Sequence, residues 1–287
     1  MGTQQALAKV NLALDILGAR PDGYHELRMV MQTVSLCDVI TVEEGGTGFT
    51  LLTGEAFSLP ADKVPMEQRA AEAFFAALGV PVPPLPVRRE KNIPAYAGLG
   101  GGSADVAALL RCLRRLYAAG MPDEALRAIG LIVGSDVPFC VSGGTSLAEG
   151  RGERLTDLPP LPVCQIVLCK PDFGISTPEL FVLADGAVLS KRPDIAGLTA
   201  ALQGGELTGV TDRLCNVFEE FLPERYREVF RIKEILLAHG ALNAAMSGSG
   251  PTVYGIFESA AEAQRAAEVL KKSYQQTYVA KPVKKLV

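Results

Sequence analysis

Lys9 is the only charge among the first dozen residues, and it sits inside the apolar run "ALAKVNLAL", two places before Asn11. An ammonium in an apolar strand is costly unless an opposite charge meets it. Asp136, in "VGSDVPFC", lies between Gly134 and Pro138 in an otherwise apolar stretch, where a strand is expected to follow. Taken alone, Asp136 reads as a turn residue capping backbone N–H groups, and Lys9 as the solvent face of an edge strand. If the two meet, the ammonium keeps the carboxylate ionised, and both address whatever binds beside them.

A third feature suggests what that is. In "IPAYAGLGGGSADVAALL" four glycines fill the five positions Gly98 to Gly102, and Val106, Leu109, Leu110, Leu113 and Leu116 follow at helical spacing. A flexible linker needs no helix in register behind it. Bare glycine backbone lets N–H groups approach an anion, and a helix N-terminus adds unpaired donors and roughly half a positive charge. The pattern is a phosphate cradle made from backbone. It is not a P-loop, because no Gly-Lys pair occurs in the chain, and it is a poor dinucleotide fingerprint, because the sixth position from Gly98 is Ser103. Asp105, in the first turn, would repel phosphate if it pointed inward and is expected to face away. A second small-residue loop, "MSGSGPTVYGIF", carries Gly248 and Gly250 before a strand. On its own it is equally a tight turn or the far wall of a nucleotide site.

The elements that must hold these residues follow from periodicity. A β-rich opening runs through "ALAKVNLALDIL", a turn at "ARPDGYHE" and the apolar run "LRMVMQTVSLCDVITVE". Helical spacing marks "MEQRAAEAFFAALG" and "PDEALRAIGLIV", with a strand at "LPVRRE" between them. Prolines 159, 160 and 162 then punctuate the chain, and the domain boundary is placed near Gly152, giving units 1–152 and 153–287. The second unit offers a strand, short helices, a long helix over "PERYREVFRIKEILLAHG", strands on either side of "MSGSGPT", a helix in "AAEAQRAAEVLKK" and a last strand in "TYVAKPV". That order suits a small α+β sandwich.

With 28 Lys plus Arg against 32 Asp plus Glu, there is no basic excess to meet a nucleic-acid backbone. The six cysteines are scattered among apolar neighbours with only two histidines in the chain, which argues for reduced thiols and against a zinc site. The opening residues lack a basic segment leading an apolar core, and Ala6 stands where a myristoylation signal has Ser or Thr. No apolar run reaches the ~18 residues of a membrane span, so a soluble cytoplasmic protein without a membrane partner is expected.

The lysine strand, the Pro-x-x-x-G-L-G loop starting at Pro94 and the C-terminal glycine turn, in that order, resemble the GHMP kinase superfamily over nearly the whole chain. The resemblance implies an α+β, two-domain fold: an N-terminal mixed α/β domain, a C-terminal ferredoxin-like domain and an active site in the cleft between them. "AKVNLALDILGARPDGYHEL", "GLGGGSAD", "GSDVPF", "KPDFGISTPELF" and "SGSGPTVYGIF" are similar to the superfamily members that act on a cytidyl-linked alcohol of the non-mevalonate isoprenoid pathway. By that likeness ATP and CDP-methylerythritol are the substrates, and the γ-phosphoryl group passes to the 2-hydroxyl of the acceptor, with Mg2+ accompanying ATP. Asp136 would take the hydroxyl proton and Lys9 would support it. The ATP loop would comprise Pro94, Ala95, Tyr96, Ala97, Gly98, Leu99, Gly100, Gly101, Gly102, Ser103 and Ala104. Tyr24, His25 and Phe181 would sandwich and hydrogen-bond the cytosine, with Asn11, Thr177 and Pro178 lining the same pocket. A kinase for another alcohol, or a decarboxylase of the mevalonate-diphosphate type, would not need that cytosine pocket. A silent nucleotide-binding relative would not need Lys9 and Asp136 together.

The chain departs from the pattern twice. Related kinases carry Asn-Leu at the start of the helix after a Pro-x-Asp turn (residues 60–62 here), as an adenine contact, where this sequence has Pro65 and Met66. Tyr96 stands in the approach to the glycine loop, where a small residue is usual.

Overall fold

In a computed structural model of the chain, residues 1–43, 45–46, 48–53 and 64–286 are described; the expected turn at 60–62 lies outside them. The chain begins with two long antiparallel strands, β1 (Gly2–Ala19) and β2 (His25–Val42). β1 is buried almost continuously from Ala6 to Ile16, because both of its faces are covered. β3 (Phe49–Thr53), α1 (Met66–Ala77) and β4 (Leu85–Glu90) follow, then α2 (Gly101–Tyr117), α3 (Asp123–Val133), α4 (Val137–Ser142), β5 (Thr145–Gly150) and β6 (Arg154–Asp157). The sheet runs β3-β4-β2-β1, with β5 pairing to the first half of β2 and β6 to β5. α2 is its central buttress: Ala104 to Leu113 are all buried, which is why its apolar residues recur with so little interruption.

The second lobe carries β7 (Gln165–Lys170), α5 (Thr177–Asp185), α6 (Ile195–Gly204), α7 (Leu207–Thr211), β8 (Cys215–Asn216), α8 (Glu228–Ala238), β9 (Asn243–Met246), β10 (Val253–Phe257), α9 (Ala260–Lys271) and β11 (Gln276–Ala280). Its antiparallel sheet has the order β11-β7-β10-β9. Counting these strands one to four along the chain, the order is 4-1-3-2, with helices in the first and last connections: a ferredoxin-like α+β unit. α8 and α9 cover one face. From the other, Tyr254 of β10 reaches into the first lobe and donates its hydroxyl to the carbonyl of Asn11 at 2.8 Å.

Two local expectations are corrected. Asp136 is followed by the short helix α4, because Pro138 suits a first helical turn and the Val137–Ser142 segment is buried all round. The long helix expected from Pro223 is divided: Glu224–Tyr226 form a 3-10 turn, and α8 begins only at Glu228. The division expected at 152/153 falls in the turn between β5 and β6, and the second sheet begins at β7. β8 crosses over to pair in parallel with β1 at Ala13 and Leu14.

Candidate active site

Lys9 and Asn11 share one face of β1, and the β1–β2 register is irregular between Leu7 and Lys9 and again between Asn11 and Ala13. Such irregularities re-aim side chains. Both residues are buried, and the Lys9 ammonium donates to Asn11 Oδ1 at 2.7 Å. Asp136 Oδ2 lies 3.7 Å from Lys9 Nζ, with the Asp136 side chain 32% exposed. Although Asp136 occupies the N-cap position of α4, its carboxylate makes no capping hydrogen bond. The residue is therefore turned toward the cleft rather than used as helix punctuation.

The glycine loop is wedged between β1 and the turn joining β9 to β10. The Lys9 backbone N–H donates to Leu99 O at 3.0 Å, and Ser247 Oγ donates to Gly98 O at 2.9 Å. Gly98 and Gly100 both hold left-handed φ, 73° and 68°. A Cβ on Gly98 would overlap Ser247 O, and one on Gly100 would lie 3.0 Å from Lys9 Cγ. Glycine is required here by backbone conformation and by close approach together. Gly101 and Gly102 open α2, so the helix N-terminus stands directly behind the loop. From the opposite lobe, a Cβ on Gly248 would lie 3.1 Å from Lys9 Nζ. Asn216 Nδ2 donates to the carbonyls of Met246 and Gly248, both at 2.8 Å, and so holds that turn.

These elements wall a cleft of about 1110 Å3 between the lobes, lined by Lys9, Asn11, Asp136, Tyr24, His25, Thr177, Pro178 and Phe181. Tyr96, Gly98, Gly100 and Ser103 line it from the loop side. Pro94, Ala97, Leu99 and Ala104 are buried away from it, while Ala95, Gly101 and Gly102 lie outside its wall. Met66 packs near the loop: its Sδ is 3.4 Å from where a Cβ on Gly102 would be. Tyr96 is a non-glycine residue with φ 51°, its side chain exposed at the mouth and facing Gly174 across the cleft. At the far end the His25 ring stacks on Phe181 with centroids 4.5 Å apart, and His25 Nε2 is 2.8 Å from Asp185 Oδ1. Thr177 Oγ1 meets Ser249 Oγ at 2.6 Å, joining α5 to the glycine turn.

Three contributors escaped sequence reasoning. Arg151 holds its guanidinium 4.6 Å above the Tyr24 ring and forms no ion pair among the described residues. Asp185 partners His25, and Ser249 partners Thr177. The signal for Arg151 was a lone cation between Gly150 and Gly152, in the turn whose Gly152 packs against Asp136. Asp105 does face away from the cleft, as its sign required: it is fully buried behind the loop. The cysteines are free thiols, and burial pushes Cys140, Cys164 and Cys169 up to about 12, so none of these three is a ready nucleophile.

Among the described residues no cluster of three His, Cys, Asp or Glu side chains gathers to cage a metal ion. Mg2+ that arrives with a nucleotide takes most of its ligands from phosphate and water, and needs only one or two protein oxygens. Asp136 and Ser103 offer such oxygens beside the loop. The donor set fits a metal carried by ATP.

A lysine–aspartate pair beside a glycine loop at a helix N-terminus, between an α/β lobe and a ferredoxin-like lobe, defines a small-molecule phosphotransferase site. Residues 66–144 match the family model described as "GHMP kinases N terminal domain", and 199–276 match "GHMP kinases C terminal". The 4-diphosphocytidyl-2-C-methyl-D-erythritol kinase of Caldicellulosiruptor bescii is 39% identical, over 93% of this chain and 93% of that protein. A crystal structure of 4-(cytidine 5'-diphospho)-2C-methyl-D-erythritol kinase superposes with a TM-score of 0.82 at 31% identity, covering 98% of this chain and 99% of that one. Mevalonate kinase of L. major, in complex with R-mevalonate, shares the fold at a TM-score of 0.72 and 16% identity, over 100% of this chain and 97% of that one. The chain belongs to the GHMP kinases and, within them, to the 4-diphosphocytidyl-2-C-methyl-D-erythritol kinase family. It is an ATP-dependent phosphotransferase with an alcohol group as acceptor.

Proposed function

We propose that the protein transfers the γ-phosphoryl group of ATP to the 2-hydroxyl of 4-diphosphocytidyl-2-C-methyl-D-erythritol, giving the 2-phosphate and ADP for non-mevalonate isoprenoid synthesis. The observation that carries this reading is one cleft in which the Lys9–Asp136 pair separates the glycine loop from an aromatic pocket of Tyr24, His25 and Phe181. ATP phosphates lie on the part of the loop that faces the cleft, at Tyr96, Gly98, Gly100 and Ser103, by the N-terminus of α2. Asp136 accepts the proton of the acceptor hydroxyl as the O–P bond forms, a role worth typically ~10² to 10⁴-fold. Lys9, fixed by Asn11, lies 3.7 Å from that carboxylate and faces the charge that develops on the transferring group. When bound, Mg2+ neutralises charge on the nucleotide phosphates.

The cytosine stacks against Tyr24 and Phe181, and His25 hydrogen-bonds its edge. For Phe181 to accept the base, the His25 ring that covers it must swing aside. Arg151 stands between Tyr24 and the turn packed on Asp136, where the diphosphate joining the two ends of the acceptor has to pass. Asn11, Thr177 and Pro178 complete this wall. The absence of a basic excess and of any membrane-length apolar helix among the described residues suits small-molecule substrates.

An ADP-release assay across candidate alcohols, with phosphorus NMR of the product, tests the reading. Turnover with the cytidyl substrate and a new 2-phosphate resonance are expected. Turnover with mevalonate or homoserine but none with the cytidyl substrate would sink it.

A further inference from the structure

Behind the glycine loop, out of reach of the cleft, lies a charge cluster of buried Asp38, Asp105, Arg89 and Glu67 joined by the partly exposed Lys91. Asp38 on β2 is fully buried, and its Oδ1 accepts the backbone N–H groups of Asn92 at 2.5 Å and Ile93 at 2.7 Å, the two residues just before Pro94. Lys91 Nζ donates to Asp38 Oδ2 and, at 3.0 Å, to Asp105 Oδ2 on α2, just after the loop. Arg89 of β4 donates to Glu67 of α1 at 2.5 Å and lies 3.8 Å from Asp105 Oδ2. Lys91 Nζ also lies 3.4 Å from where a Cβ on Gly101 would be, directly beneath the first residue of α2. None of these side chains lines the cleft.

Taking several charges out of water is expensive, and such a network adds little net stability compared with apolar packing. What it does supply is fixed geometry. This one spans both ends of a single loop: the entrance through Asp38 and the exit through Asp105, with Lys91 joining them. We propose that Asp38, Lys91 and Asp105 are positioning residues, a clamp behind the loop with both carboxylates buried, that sets the conformation of the glycine loop and hence the affinity for ATP without touching ATP. The proposal rests on the assignment of that loop to ATP.

Charge balance makes the clamp sensitive to protons. Among the described residues, Asp38, Glu67 and Asp105 are three carboxylates facing two cations, Lys91 and Arg89, and Cys140, on α4, faces Asp105 as a neutral thiol. Asp105 Oδ1 is buried with no hydrogen-bond partner. Burial pushes the Asp105 carboxyl up to about 8, against the pull of Lys91. Protonated, Asp105 adds no negative charge behind the cradle and leaves the positive end of α2 available to phosphate. Ionised, it sets a negative charge behind the cradle and opposes the helix dipole.

The test measures ATP affinity by calorimetry without acceptor, and ATP and acceptor KM by ADP release, on the full chain. Lys91→Met and Asp38→Asn are expected to weaken ATP binding on the order of tenfold, leaving the acceptor KM within about twofold. Asp105→Asn, an isosteric mimic of the protonated acid, is expected to bind ATP like the wild type at pH 7. Between pH 7 and 9 the wild type should lose affinity relative to it. A folded Lys91→Met that binds ATP as the wild type does overturns the clamp. Should that variant not fold, parallel pH profiles for wild type and Asp105→Asn overturn it instead. Ser103→Asp, which places a negative charge in the loop itself, is the control for the underlying assignment. If it keeps full ATP affinity, the loop reading fails, whatever the clamp variants do.

Discussion

Asp136 faces Lys9 at 3.7 Å, a separation that leaves its carboxylate unclaimed by a tight ion pair and open to a hydroxyl. Asp136→Asn keeps the shape and removes the base, so kcat should fall by ~10² to 10⁴. ATP KM, measured in the same assay, should stay within about threefold; a variant with wild-type kcat would take Asp136 out of the mechanism. The buried Asp105 gives a second prediction, on stability. Burial pushes its carboxyl up to about 8 in the folded chain, well above the ordinary carboxylate range, so the folded state holds a proton that the unfolded state releases. Stability from this group is fully present below the unfolded value and is lost as pH rises through the folded one. Denaturant midpoints of the wild type should therefore decline relative to Asp105→Asn between about pH 4 and 8, and run parallel above that. Lys9 and Asp136 were legible in the sequence because a charge inside an apolar run demands a partner. Arg151 and Asp185 were not, because a charge beside glycines or at a helix end looks like any solvated residue until the ring it faces is placed.

The glycine loop works as an element because two structures press on it. Gly98 has left-handed φ, and backbone atoms of Ser247 and Gly250 occupy the place where a Cβ on it would project. Gly205, at the C-terminus of α6, has almost the same φ of 68° but nothing within 4 Å of a Cβ placed on it. Alanine at Gly205 should therefore cost only the left-handed backbone term, about 1 kcal/mol. Alanine at Gly98 must also push away the turn from the other lobe, so ATP KM should rise on the order of tenfold or more, with a larger fall in Tm. Equal effects at the two positions would mean that close approach does not matter. α2 was readable from the helical spacing of Val106, Leu109, Leu110, Leu113 and Leu116, and β1 and the ferredoxin-like strands from apolar runs bounded by turn residues, although these elements are buried with little periodicity. It failed at Val137–Ser142, where six residues buried all round carry no period, and at Glu224–Tyr226, where polar residues continue a helical pattern that the backbone tightens into a 3-10 turn.

At the scale of the whole molecule, the cleft exists only if the lobes keep their relative placement, and two short segments tie them. β8 adds two residues to β1, too few for any sequence pattern, and one of them, Asn216, holds the glycine turn. After β11 the chain returns to the first lobe: Ser35 N–H donates to Lys281 O, Val283 N–H to Thr33 O and Leu286 N–H to Ser142 O, each at 2.9 Å. Gln32 Nε2 reaches Val283 O at 3.0 Å, and the Leu286 side chain packs where a Cβ on Gly143 would be. This strap was invisible in the sequence because its hydrogen bonds use backbone groups, which any residue supplies. A chain ending at Lys281 loses two of these backbone bonds, the Gln32 bond to Val283 O, the exposed Lys285–Asp157 ion pair and one apolar contact, partly offset by freed chain entropy, a net of roughly 2–4 kcal/mol. For a protein of this size Tm should fall by roughly 5–10 °C, read by calorimetry. None of residues 281–286 lines the cleft, so kcat measured well below Tm should remain within about twofold of wild type. A tenfold loss of kcat with an unchanged Tm would mean that the strap sets the angle between Lys9 and the glycine turn rather than simply holding the lobes together.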